Sequence, residues 1–134
     1  MKVIIDTNVI LSSFLTEGLA KKVFDLCIDN DDIYLSKWIL NEVRERLKNK
    51  FKVPEVEINR LIVFLKHIGK VIEPSGELYK NSRDTRDNPI LLLADYVKAN
   101  IILTGDKDLL ELVHYKKTKI MNPRKYYELY GHAG

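Results

Sequence analysis

Apolar and polar positions along this chain switch between two periods, and each switch marks an element. The β-branched runs "KVIID" (2–6) and "NIILTGD" (100–106) end in polar residues and predict buried strands. "IYL" (33–35), "KVIE" (70–73) and "TKIM" (118–121) predict weaker ones. Helical spacing covers 19–30, 36–50, 55–68, 88–99 and 123–130, with a short turn of helix at 107–114. Ser36 suits the N-cap of "KWILNEVRERL", and Asn88 followed by Pro89 suits the cap and first residue of "ILLLADYVKA". Strand and helix taking turns predict an α/β fold, with a central parallel sheet of about five strands and helices on both faces joined by right-handed crossovers. The helix after Asn88 is apolar on nearly every side and is expected deep against the sheet.

With 134 residues, the chain is read as one domain spanning 1–134, long enough to bury about 70% of its unfolded surface. Cys27 is the only cysteine, so no internal disulfide is possible, and its spacing from Val23 and Phe24 makes it a small buried hydrophobe. The first apolar segment is interrupted by Asp6 and Asn8, and no apolar run approaches about 20 residues. A soluble, cytoplasmic protein without a membrane span is expected. The net charge is a modest +3, with 22 basic residues against 19 acidic ones. If four acids are neutralised by a cation, the remainder becomes +7, which suits a polyanionic partner.

Those four acids carry the chemistry. In open α/β sheets the ligand crevice lies beyond the carboxyl ends of the strands. Asp6 ends the first strand, Asp106 follows the "IILTG" strand, Asp87 precedes the cap of the apolar helix, and Glu42 sits about two turns into the helix after "IYL". Each alone has a plain alternative: a helix cap for Asp106, an Asx turn for Asp87, the polar entry to the next segment for Asp6, a solvated face for Glu42. Together they repel, at about 4 kcal/mol per pair ~4 Å apart at an effective dielectric near 20. Such a cluster needs protons or cations, and oxygen ligands without histidine or cysteine select a hard divalent ion. Mg²⁺ or Mn²⁺ is expected; His67, His114 and His132 are scattered without zinc-ligand spacing.

"DTNVILSSF", "LNEVRERL", "DTRDNPILLLA" and "ILTGDKDLL" resemble, in order and spacing, the four acidic motifs of PIN-domain nucleases. VapC-like toxins of toxin-antitoxin pairs are among that family. The resemblance covers nearly the full chain and implies a metal-dependent endoribonuclease that cleaves single-stranded RNA. It assigns Asp6, Glu42, Asp87 and Asp106 to the acidic quartet, with Asp6, Asp87 and Asp106 as primary metal ligands and Glu42 completing the set or positioning water. Asn8, Asn88 and Thr104 match polar neighbours that orient acids or water. Asp84 and Asp108 fall to outer positions. A homodimer and, in toxin members, an antitoxin that blocks the site are implied partners.

Basic residues near these segments, Lys37, Arg83, Arg86 and Lys107, are candidate RNA contacts, with a solvated charged face as the alternative for each. Lys116, Lys117 and Lys119 form another basic cluster. The helix "EINRLIVFLKHIG" has more apolar residues than one buried face needs, which suits core burial or a partner surface. Two rival functions stand beside the nuclease. A phosphotransfer site would want a second acid two residues after its nucleophilic aspartate, where this chain has Asn8. A non-catalytic RNA- or partner-binding module would keep the same acidic edge.

Overall fold

The computed structural model describes residues 1–74 and 88–131. Its elements, in chain order, are β1 (Lys2–Ile5), α1 (Thr7–Leu15), α2 (Leu19–Asn30), β2 (Asp32–Leu35), α3 (Lys37–Asn49), α4 (Glu55–Ile68) and β3 (Gly69–Val71). They continue with α5 (Pro89–Val97), β4 (Ile101–Leu103), α6 (Lys107–Glu111), β5 (His114–Tyr115), β6 (Thr118–Met121) and α7 (Pro123–Tyr130). No helix among the described residues is long and apolar enough to cross a membrane.

Among the described residues, six strands form one sheet in the order β3-β2-β1-β4-β6-β5. All neighbours run parallel except β5, which pairs antiparallel with β6. The sheet has one strand, β5, beyond the about five expected. It is a two-residue edge strand, too short to show a period, and Lys116 turns the hairpin with φ 54°. Val3, Ile4 and Ile5 on β1 and Ile101, Ile102 and Leu103 on β4 are all buried. Successive side chains on a strand point to opposite faces, so both faces of the sheet centre are covered, as the uninterrupted apolar runs require.

From β1 the chain winds outward through β2 and β3, then returns across β1 to β4. This reversal opens a crevice beyond the carboxyl ends of β1 and β4. Hydrogen bonding continues past the strand ends: Asp6 N–H donates to the Leu103 carbonyl (2.8 Å) and Thr104 N–H to that of Met121 (3.0 Å). Asp6 and Thr104 are thereby fixed to the sheet itself.

The sequence pattern places no helix between β1 and residue 19, yet α1 begins directly behind Asp6. Thr7, Val9 and Ile10 are β-branched and continue the apolar run of β1, which hides the change of period. What turns the chain is Asp6, whose Oδ1 accepts the N–H of Thr7 (2.7 Å) at the N-cap. The other caps lie where the residues indicate: Ser36 accepts from Ile39 N–H (3.2 Å), and Asn88 from Ile90 (3.0 Å) and Leu91 (3.2 Å), with Pro89 next. The expected burial of α5 is observed: Ile90 through Asp95 are all buried.

Asp95 is an acid buried on α5, where its carboxylate meets the Lys116 ammonium at 2.6 Å and that of Lys98 at 3.4 Å. Burial pulls its carboxyl upward, but the two lysines together outweigh burial and hold it below the usual range. This contact ties the β5–β6 hairpin to α5 at the amino ends of β4 and β6. The Lys116 and Lys117 part of the basic cluster therefore lies at the sheet edge opposite Asp6.

Candidate functional site

Three sequence-predicted acids, Asp6, Glu42 and Asp106, line one cleft of about 170 Å³ at the carboxyl edge of the sheet. Asp6 arrives from the end of β1, Asp106 from the loop after β4, and Glu42 from the second turn of α3. Asn8, Asn88, Trp38 and Arg46 share the lining. Asp84, Asp87, Arg83 and Arg86 lie outside the described residues. Among the described residues, no three acid, histidine or cysteine side chains stand close enough to hold one ion between them.

Thr104 joins two of the acids. Its hydroxyl donates to Asp6 Oδ2 (2.7 Å) while accepting the N–H of Asp106 (3.0 Å). Both Asp6 oxygens are thus oriented, one by Thr104 and one by the Thr7 N–H. Asp106 caps α6, its Oδ1 accepting the N–H of Asp108 (2.8 Å). Asp108 contributes this backbone contact, and its side chain is exposed away from the cleft lining.

Burial pushes the Asp6 carboxyl above its ordinary value. Hydrogen bonds from Thr104 and Thr7 oppose that shift, the charge of Asp106 adds to it, and the Arg46 guanidinium opposes it. The site therefore holds an acid whose ionised form is only partly compensated by the hydrogen bonds and the Arg46 charge around it. Thr7 Oγ1 is also buried and has no hydrogen-bond partner among the described residues. Carboxylate and hydroxyl oxygens, with no histidine or cysteine among the described residues of the lining, are chemically the donor set of a hard divalent cation.

Arg46 is a cleft-lining residue that sequence reasoning missed. Its guanidinium pairs with Glu42 Oε1 at 2.8 Å and donates a hydrogen bond to Asn8 Oδ1. Trp38, Glu42 and Arg46 follow one another at four-residue spacing on α3, so they form one stripe. That spacing was the available signal. Lys37 faces a different groove, with Arg44 and Lys66, and Lys107 is exposed beside Asp106 without lining the cleft.

A larger groove of about 480 Å³ opens between α1, α2 and α4, walled by Phe14, Phe24, Leu61 and Phe64. On α4, Ile58, Leu61, Ile62 and Leu65 are buried while Val56, Val63 and Phe64 are exposed. The surplus of apolar residues on this helix therefore reaches the surface.

The profile of the PIN-domain family matches residues 2–108. The chain belongs to the PIN-domain family. This PIN domain is 32% identical to an uncharacterized protein of Methanocaldococcus jannaschii over 118 residues, covering 84% of this chain and 75% of that protein. Its fold is similar to that of VapBC2 from Rickettsia felis bound to a DNA fragment from their promoter, with TM-score 0.63 and 16% identity over 91% of this chain and 98% of that one. VapBC-1 from nontypeable Haemophilus influenzae is equally similar, with TM-score 0.63 and 16% identity over 92% and 99% of the two chains. At that identity the solved structures speak for the PIN fold.

Proposed function

We propose that this PIN domain is a metal-dependent endoribonuclease that cleaves single-stranded RNA, acting as the toxin of a toxin-antitoxin pair. The observation that carries the reading is the meeting of Asp6, Glu42 and Asp106 on one cleft at the point where the sheet reverses its winding. Family membership supports it, since PIN domains are generally nucleases.

In this reading Asp6, Asp106 and Asp87 hold the cation, and Glu42 completes the set or positions the attacking water. Mg²⁺ or Mn²⁺ supplies, when bound, a water of lowered pKa and a polarised phosphoryl oxygen. Thr104 keeps Asp6 and the Asp106 backbone in register, so the two carboxylates enter the cleft at fixed positions. Arg46 and Asn8 restrain Glu42 from the far wall, and the guanidinium lends the acids one internal positive charge. Asn88 fixes the start of α5 beside the cleft, one residue after Asp87. Lys37, Lys107, Arg83 and Arg86 would draw in the polyanion, with Asp84 and Asp108 at the periphery.

The partner in this reading is an antitoxin chain whose apolar helix covers the groove between α1, α2 and α4. Two solved structures of the same fold are VapBC assemblies, and an aromatic-walled groove of that size supports a protein ligand. Val56 and Val63, exposed a heptad apart on α4, offer an apolar strip to a second copy of the chain.

Purified protein is to be incubated with single-stranded RNA and Mg²⁺ or Mn²⁺ beside an Asp6→Asn variant. Cleavage that needs the metal and falls more than about 100-fold in the variant is expected. Equal cleavage by both proteins would overturn the reading.

A further inference from the structure

Trp38 is 42% exposed, and it lines the same cleft as the acids. It stands in the first turn of α3, just beyond the carboxyl end of β2 and one helical turn before Glu42. On a helix that spacing brings two side chains to about 5–6 Å between Cβ atoms. With Pro89, Ile90 and Leu109 it gives the cleft an apolar wall beside the polar one of Asp6, Glu42 and Asp106. A bare phosphodiester uses only the polar wall. A nucleotide has two parts, and its base presents a flat apolar face that needs a partner once unstacked from the strand.

We infer that Trp38 is the stacking platform for a nucleobase adjoining the phosphodiester held by the acids. This rests on the nuclease reading of the cleft and adds the residue that seats the base. Because stacking engages the π-face that every base has, Trp38 supplies affinity and register on the strand with little preference among bases. An indole is the largest such platform among the side chains. The i, i+4, i+8 stripe of Trp38, Glu42 and Arg46 then presents base, acid and cation contacts in sequence along one helix face.

Trp38 is the only tryptophan of the chain, so its emission reports on this ring alone. The test uses Asp6→Asn protein, to prevent cutting, titrated with a ten-nucleotide single-stranded RNA of mixed sequence. Binding is followed by tryptophan fluorescence and independently by filter retention. Expected are quenching that saturates with retention, about tenfold weaker binding for Trp38→Ala in the same background, and recovery of most of it in Trp38→Tyr. An RNA of the same length with abasic positions should bind weakly, should not quench, and should not distinguish Trp38→Ala from its parent.

Retention without quenching, or equal affinity after Trp38→Ala, overturns the inference and leaves the nuclease reading standing. A Trp38→Ala variant that melts lower yet binds RNA equally has the same meaning, because it makes the ring structural only. If wild-type protein without divalent ions and Asp6→Asn both fail to retain the strand, the nuclease reading falls as well.

Discussion

Asp6 has two duties that pull against each other. Its side chain caps α1, which asks for a carboxylate oxygen beside the Thr7 N–H, and burial at the sheet edge penalises the charge. Because its carboxyl is raised in the fold, the native state holds that proton more tightly than the unfolded chain, whose carboxyl sits near 3.8. The stability associated with this group is complete below that value and is lost as pH rises through the folded pKa. Asparagine keeps an acceptor for the cap without the charge. Asp6→Asn is therefore expected to melt higher than wild type near neutral pH without divalent ions, with the advantage disappearing toward pH 3. Thermal melts across that range check the sign; a variant that melts lower at neutral pH would show that the carboxylate is a net stabiliser. Added Mn²⁺ should narrow the gap by stabilising the wild type, since a ligand that binds only the folded state raises its melting point.

Elements place these side chains through local rules that differ in how visibly they are written. The caps at Ser36 and Asn88 are legible because each couples a short polar side chain to the start of an apolar helical period. Helix α1 is not, because Val9, Ile10 and Leu11 prolong the apolar run of β1 beyond the short break at Asp6, Thr7 and Asn8. Strand β3 shows a constraint that no period reveals. A Cβ on Gly69 would come within 2.8 Å of Leu35 Cδ1 and 3.3 Å of the Ile33 carbonyl on the neighbouring strand. Gly69→Ala is expected to cost about 1–3 kcal/mol through overpacking, read as a lower midpoint of urea unfolding with unchanged slope. No change would mean that Leu35 swings aside freely.

For the whole molecule, the core links both halves of the site, so opening the core should dismantle the cleft. Cys27 gives a direct view of that opening. Its thiol is fully buried against the core, and burial pushes its pKa up to about 12, so almost no reactive thiolate exists in the folded protein. Labelling by a thiol reagent at pH 8 should be slow in native buffer and should rise toward the rate of a free thiol only across the unfolding transition. Rapid labelling without unfolding would place Cys27 in a locally open region.

The sequence by itself determined the alternation of buried strands with helices, hence the α/β class, and the polar residues that end β1 and β4. Those are properties of short windows, where period, capping and strand length are set by neighbours along the chain. Only the tertiary structure decided that β1 and β4 lie side by side, that Thr104 therefore reaches Asp6, and that α3 is rotated to bring Trp38, Glu42 and Arg46 onto their cleft. Strand order and helix rotation follow from how all apolar faces are buried at once, a requirement of the assembled core that no single window contains.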